Sequence, residues 1–358
     1  MIDTIVVGMG LAGRSFHLPL IRLEPRLRLS AIVSRDPARR DEASNFERVP
    51  GFASLEEVLD SGISCDLVVL ATPHHTHADL AVAALNAGKH CVTDKVMCLT
   101  EADSDRMIDA RDRSGKMLSV FHNRRWDWDW LTLRSVLDSG SIGDPIRIES
   151  SVVRYSAPRT WRGRTSEAGT ILHDWGAHLV DQALMLGRGP CRRLRCRIAP
   201  APWDGVDSGG HGRIELEFDG FEFGIETSRI CALDRPRWWV LASRGGYLRI
   251  GVDPQEEAVR SGDITRAADR PEHGTFATRM SEGRPILEPI DPVRGSWTSY
   301  YAGIADHLIE GRSLEVTAEQ AREVVRLLAA AERSAQNGSV EEGPWGDLPR
   351  LPVERSSF

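Results

Sequence analysis

Ile5-Val6-Val7-Gly8-Met9-Gly10-Leu11-Ala12-Gly13 lies at the start of the 358-residue chain. The three apolar residues read as a buried strand. Leu11 to Leu23 reads as a helix with Phe16, Leu18, Leu20 and Ile21 at apolar positions. Between them Gly8, Gly10 and Gly13 fit G-x-G-x-x-G, in the strand-to-helix context that gives the spacing its meaning. Gly8 permits a tight turn, Gly10 lets a pyrophosphate approach the backbone, and Gly13 lets helix pack close to strand. Free N–H groups at the helix start, around Leu11 and Ala12, then favour phosphate charge. The stretch predicts a dinucleotide-binding crossover.

The same alternation continues downstream. Leu27–Val33, Leu67–Ala71, His90–Thr93 and Met117–Phe121 read as strands. Helices are expected over His77–Ala87 and Glu101–Ser114, stopping at Gly88 and Gly115. Strands alternating with helices imply a doubly wound parallel sheet covered on both faces. After His122 the pattern changes. Trp130–Leu137 looks helical, and alternating segments then dominate. Arg213–Phe218 and Phe221–Glu226 flank Asp219-Gly220, a strong hairpin signal. Residues 251–296 read as irregular. Helices are expected over Trp297–Glu310 and from Thr317, with Gln320 completing a capping box, to Asn337-Gly338. The expected fold is α/β: a Rossmann domain over 1–121, then an α+β domain with a large, mainly antiparallel sheet over 122–340. A polar, partly mobile tail over 341–358 completes it.

Composition narrows the function classes. The net charge of −7 argues against a nucleic-acid binder, which needs a basic surface. Apolar runs such as Leu67–Ala71 fall far short of a membrane span. Met1-Ile2-Asp3 lacks the basic-then-apolar opening of a secretory signal. The six cysteines form no C-x-x-C pair, so no metal site is expected, and a cytoplasmic protein with reduced thiols is.

Three further segments carry chemistry. At the end of the second strand, Ser34 stands 21 residues after Gly13, where an acid would select NAD, and Arg35 follows. A hydroxyl and a guanidinium suit a 2′-phosphate, so NADP(H) is preferred. NAD(H) stays possible, with Asp36 on the 2′-hydroxyl and Arg35 a solvated cation. Thr72-Pro73-His74-His75-Thr76-His77 follows a buried strand, where open sheets bind ligands, and reads as a cofactor-side loop. Asp94-Lys95-Val96 ends another strand and places a lysine at the cleft mouth. Asp174, His178 and Asp181 fall at i, i+4 and i+7, on one helical face. An aspartate beside a histidine favours its protonated form and suits proton transfer with a hydroxyl.

The glycine loop, Thr72-Pro73 with His75 and His77, Asp94-Lys95, and Asp174-x-Gly-x-His178 together resemble the glucose–fructose oxidoreductase / inositol dehydrogenase / rhizopine-catabolism (Gfo/Idh/MocA) family. Val120–Asp127 and Asp174–Leu184 look like its branch of NADP-dependent scyllo-inositol dehydrogenases. The resemblance implies hydride transfer between a nicotinamide and a carbinol carbon of a sugar or cyclitol bound between two domains. It implies Lys95, Asp174 and His178 as the catalytic set, with Asp94 and Lys95 also at the cofactor. Asp94 replaces the family's glutamate and Val96 its proline, which leaves the loop conformation open. His122, Asn123, Arg124, Trp126 and Trp161 are candidates to line the substrate cleft, and Trp161-Arg162 could reach it. A homodimer or homotetramer is expected. A non-catalytic sensor of the same fold and a redox-assisted glycosidase or eliminating enzyme are the alternatives.

Overall fold

The computed structural model describes residues 1–187, 189–270 and 272–346. Its first sheet holds six parallel strands: β1 (Ile2–Val7), β2 (Leu27–Val33), β3 (Gly51–Phe52), β4 (Leu67–Leu70), β5 (His90–Thr93) and β6 (Leu118–Val120). Their spatial order is β3-β2-β1-β4-β5-β6. β1 and β4 are buried at every position, because helices cover both faces, and so their sequences are apolar without alternation. Strand order reverses between β1 and β4. Their C-terminal ends therefore flank the crevice where such sheets bind ligands.

The expected helix after the glycine loop is present but locally widened. Gly13–His17 winds as a π-helix and runs into α1 (Leu18–Leu23). The helices α2 (Pro37–Glu47) and α3 (Leu55–Asp60) were not anticipated. In α2 only Ala43 is buried, so it has no apolar stripe to announce it; its signals are the Asp36 N-cap and Pro37 at the first turn. α4 (His77–Asn86) and α5 (Glu101–Ser114) fall as expected.

After α6 (Trp128–Asp138) the chain builds a nine-stranded sheet. Its strands are β7 (Pro145–Val153), β8 (Cys191–Ala199), β9 (His211–Phe218), β10 (Phe221–Ser228), β11 (Trp238–Ala242), β12 (Gly245–Arg249), β13 (Thr275–Ser281), β14 (Arg284–Pro289) and β15 (Glu341–Trp345). The order is β14-β13-β12-β11-β7-β10-β9-β8-β15, with β7–β10 the parallel pair and the other neighbours antiparallel. The Asp219-Gly220 turn joins β9 to β10 as its sequence requires, with Gly220 at φ +96°. The helices of this half are α7 (Thr165–Ala168), α8 (Trp175–Leu186), α9 (Gln255–Arg260), α10 (Thr298–Glu310) and α11 (Ala318–Asn337). α11 carries the Thr317/Gln320 capping box and packs against β8 and α8 on one side and α5 on the other. Arg111–Glu319 and Arg333–Glu101 ion pairs reinforce that second contact.

Two expectations are corrected. Residues 251–296 are not wholly irregular: they contain α9, β13 and β14, whose short length and charge hid their periodicity. The boundary at 340 also shifts. Glu341–Trp345 is the edge strand on β8, with Trp345 buried and the Gly346 amide donating to Glu323. The remainder of the expected tail lies outside the described residues. Among those described, no helix is long and apolar enough to cross a membrane, and all six cysteines are free thiols.

Candidate active site

The glycine loop leaves β1 and turns beside the end of β4. Gly8 takes φ +105°, and a Cβ there would lie 2.5 Å from the Ala71 carbonyl oxygen. A Cβ on Gly13 would lie 1.9 Å from the Gly8 carbonyl oxygen. Gly10 differs, because a Cβ there meets nothing within 4 Å. The loop thus closes on itself at Gly8 and Gly13 and leaves open space at Gly10. That is a cradle suited to a pyrophosphate at a helix N-terminus, and the residues fit a dinucleotide.

At the end of β2, Ser34 is buried, and its backbone bonds Phe52 and accepts from Arg40. The Asp36 carboxylate accepts from the Arg39 amide as the α2 N-cap and pairs with the Arg39 guanidinium. Arg35 is exposed and has no ion-pair partner among the described residues.

The β4 loop is more structural than its sequence suggests. His77 is fully buried, with Nδ1 2.8 Å from the Val96 carbonyl oxygen and Nε2 2.9 Å from that of Thr72. Its ring is spent on joining the β4 and β5 loops. Thr72 is held through its hydroxyl by Thr76, after Pro73 turns the chain. His75 is exposed, 3.4 Å from the Glu167 carbonyl oxygen. His74, not singled out as a binder, is also buried. Its Nδ1 lies 2.8 Å from the Ala168 carbonyl oxygen, and its ring meets Trp161 edge-on at 4.8 Å.

Lys95 joins the two halves. Its Nζ donates to the Asp174 carbonyl oxygen at 2.7 Å and to Asp174 Oδ1 at 3.2 Å. The Lys95–Val96 peptide is cis. Asp94 caps the Lys95 amide at 2.8 Å and lies 3.9 Å from buried His17. Burial opposes ionisation of Asp94, but His17 and Lys95 outweigh it and hold the carboxyl below its usual range.

Asp174 precedes α8 and accepts three cations: Lys95, Arg154 at 3.3 Å and Arg229 at 3.0 Å. Burial pushes its carboxyl toward neutrality, yet Lys95, Arg229, Arg154 and Arg162 hold it well below its ordinary value. His178, one turn into α8, is buried with an unpartnered Nδ1.

The expectation that Asp174 raises the His178 value is corrected. Burial lowers it well below the ordinary histidine range, and Lys95, Arg124 and His122 lower it further, against a weaker pull from Asp174. The imidazole is neutral at physiological pH. Asp181 does not complete a face with the other two either. Arg125 grips it bidentately at 2.8 and 2.6 Å.

The remaining candidates form the floor of this region. His122 is buried, neither ring nitrogen has a hydrogen-bond partner although Nδ1 lies 3.9 Å from Asp181, and burial lowers its value to about 4. Its ring stands edge-on to His178 at 6.2 Å. Asn123 is buried beside it. Arg124 is stacked between Trp175 and Trp297 and pairs with Asp127 and Glu256, so its charge is used internally. Trp126 packs edge-on to Tyr300. Beneath them Asp127, Asp129 and Asp253 cluster, but Trp297, Trp238 and the Trp128 and Gln255 amides donate to these carboxylates, and Arg237 forms an ion pair with Asp129.

Sequence reading missed Arg154, Arg229 and His17. Each sits in an unremarkable local pattern, and only the tertiary fold brings it to the site.

Comparison with known proteins shows the family. Residues 2–122 match the oxidoreductase family with an NAD-binding Rossmann fold, and residues 130–248 match the GFO/IDH/MocA C-terminal domain. The chain belongs to the Gfo/Idh/MocA oxidoreductase family, as an enzyme with an NAD-binding Rossmann domain. It is 31% identical to scyllo-inositol 2-dehydrogenase (NADP(+)) IolW of Bacillus subtilis, over 94% of this chain and 95% of that one. It is 32% identical to the uncharacterized oxidoreductase YdgJ of Escherichia coli, over 93% and 96%. The solved structure of yvaA from Bacillus subtilis superposes with a TM-score of 0.88 at 30% identity, covering 96% of this chain and 98% of that chain.

Proposed function

We propose that the protein is an NADP(H)-dependent dehydrogenase of a sugar or cyclitol carbinol, with Lys95, Asp174 and His178 as its catalytic set. The observation that carries this reading is the Lys95–Asp174 junction beside a neutral His178, formed where the β5 loop meets the start of α8. The bound nicotinamide supplies the hydride chemistry. Lys95 donates to the substrate oxygen and stabilises its alkoxide character. His178, neutral at rest, takes the hydroxyl proton during oxidation and returns it during reduction. Asp174 accepts from a neighbouring substrate hydroxyl and fixes the lysine. Only three of the 45 basic residues are lysines, Lys89, Lys95 and Lys116. At position 95 a lysine aims a compact charge at one oxygen, whereas an arginine presents a planar fork.

Cofactor preference follows from β2. Asp36 is spent as a helix cap, and Arg35 is free for a 2′-phosphate. Gly8, Gly10, Leu11, Ala12 and Gly13 hold the pyrophosphate side. A homodimer or homotetramer is expected through the outer face of the nine-stranded sheet, where Trp239 and Leu241 are partly exposed. The test is an absorbance screen at the NADPH band with inositols, hexoses and their keto forms, using both cofactors. Turnover with NADPH and its loss in Lys95→Ala are expected. A native-rate Lys95→Ala enzyme would remove the assignment.

A further inference from the structure

The recess beside Asp174 is a shallow one, lined by Arg154, Arg229, Thr227, Ser228, Val152 and Trp175, with a free volume of about 10 Å³ that opens to solvent. Arg229 is 4% exposed. One of its nitrogens reaches Asp174, while its Nε and Nη1 are buried with no partner. Arg154, just past the end of the adjacent parallel strand β7, reaches the same Asp174 oxygen and is half exposed. Arg162 stacks on Trp161 at 4.5 Å, pairs with no carboxylate among the described residues, and acts on both Asp174 and Arg229. Lys95 completes the group. Even with Asp94 set against Lys95, two arginines share one carboxylate, with Arg162 adding to the local positive charge.

A buried guanidinium without a full counter-charge is costly. A neutral polyol would not relieve it, since its hydroxyls carry no charge. An oxyanion would, and the arginine fork matches carboxylate and phosphate geometry. The inference rests on the dehydrogenase reading and narrows its substrate. We infer that the sugar or cyclitol carries an anionic group, a carboxylate or a phosphate, held by Arg154 and Arg229 next to the carbinol that Lys95 engages. Asp174 then serves as the spacer that keeps Lys95 and the arginines apart when the recess is empty of anion. Neither arginine lies in the glycine loop.

The test is calorimetric titration of the enzyme–NADPH complex with matched sugars: a hexose, its uronate and its 6-phosphate. At least one anionic member is expected to bind on the order of 10- to 100-fold tighter than the neutral twin. The uronate and phosphate arms tell the two sources apart. Arg154→Ala, at a half-exposed position, should erase most of that margin while NADPH affinity stays native. Arg229→Lys should retain more of it than Arg229→Gln. Equal binding of neutral and anionic members, absence of anion binding, or a margin that survives both Arg154→Ala and Arg229→Gln would overturn the inference. Binding is read without turnover, so the two readings fail separately. Tight anion binding with no hydride transfer to any sugar counts against the dehydrogenase reading alone. Turnover of a neutral polyol with no anion preference counts against the anionic substrate alone.

Discussion

At the glycine loop the backbone makes the site, whereas at the Lys95–Asp174 junction long side chains from separate segments make it. The loop depends on three positions where a Cβ is excluded or absent, within six consecutive residues. The junction gathers Lys95, Arg154, Asp174, His178 and Arg229, which lie as far as 134 residues apart in the chain. A backbone site is written locally and tolerates almost no change. A side-chain site is written across the fold and can change its ligand while keeping its frame.

The largest effects should come from breaking the loop in two different ways. Gly13→Val drives a side chain into the Gly8 carbonyl oxygen, 1.9 Å from the Cβ position. We expect loss of folded protein or a large drop in Tm, since overpacking of this kind costs about 1–3 kcal/mol or more. Gly10→Val meets only open space. It should melt like the native protein and fail to bind NADPH. Thermal denaturation and calorimetric titration together separate the two outcomes. A Gly10→Val protein with native NADPH affinity would dissociate the loop from the cofactor.

On the other wall, Lys95→Met and His178→Asn should each lower turnover by roughly 10²–10⁴ and leave NADPH affinity near native. Lys95→Arg should stay slow despite its charge, because a planar guanidinium fork cannot take the place of a compact ammonium donor to one oxygen. The lowered value of His178 fixes the pH dependence. Oxidation needs the neutral ring, which is already present at neutrality, so its rate should be flat there and fall only on the acid side of the ordinary histidine value. Reduction should rise over that same acid limb. A His178→Asn enzyme that keeps the limb would move the acid/base role to another group.

The contrast between the walls also governs what the sequence could tell. The Rossmann half was legible because its strands are buried on both faces and its turns need glycine; β2, β5 and α5 fall where their patterns place them. α2 was not, because its burial is confined to one alanine. Lys95, Asp174 and His178 were singled out in the sequence and the fold brings them together, yet their electrostatics were misjudged. The i, i+4 spacing of Asp174 and His178 suggested a partnership. Three-dimensional neighbours override it: four cations claim Asp174, and burial keeps His178 neutral. Arg229 and Arg154 are two among many arginines, and nothing in their local sequence separates them from surface charge.

A smaller effect tests burial on the cleft floor. His122 has its value lowered from 6.5 to about 4, chiefly by burial. Between those values the unfolded chain binds a proton that the folded chain does not. Stability should therefore fall as pH drops from about 6.5 to about 4, by roughly 3 kcal/mol in all for this group. Asp253, raised to about 6 by burial and by Asp129, works in the opposite sense over an overlapping range. Comparing the native protein with His122→Asn in urea unfolding across this range isolates the histidine. Parallel stability curves would show that His122 is not buried in the neutral form.

The smallest expected effect lies at the edge of the backbone site, where a side chain refines what the loop already binds. Arg35 is exposed at the end of β2, and its neighbours are accounted for: Asp36 caps α2, Arg39 pairs with Asp36, and Arg40 donates to the Ser34 carbonyl. If Arg35 meets the 2′-phosphate, Arg35→Ala should weaken NADPH binding by about 1–3 kcal/mol, the range of a lost charge-assisted contact. NADH binding should hardly change, because its 2′-hydroxyl offers no charge. Rising salt should narrow the NADPH advantage of the native protein, since the contact is open to solvent. Asp36→Asn is the control. It removes the acidic charge that would repel a 2′-phosphate while keeping a competent N-cap, so it should leave or improve NADPH affinity at little cost in stability. Titration of both variants with both cofactors decides between an arginine that selects NADPH and an aspartate that binds the ribose of NADH. In the second case Asp36→Asn would weaken NADH, and Arg35→Ala would alter neither cofactor.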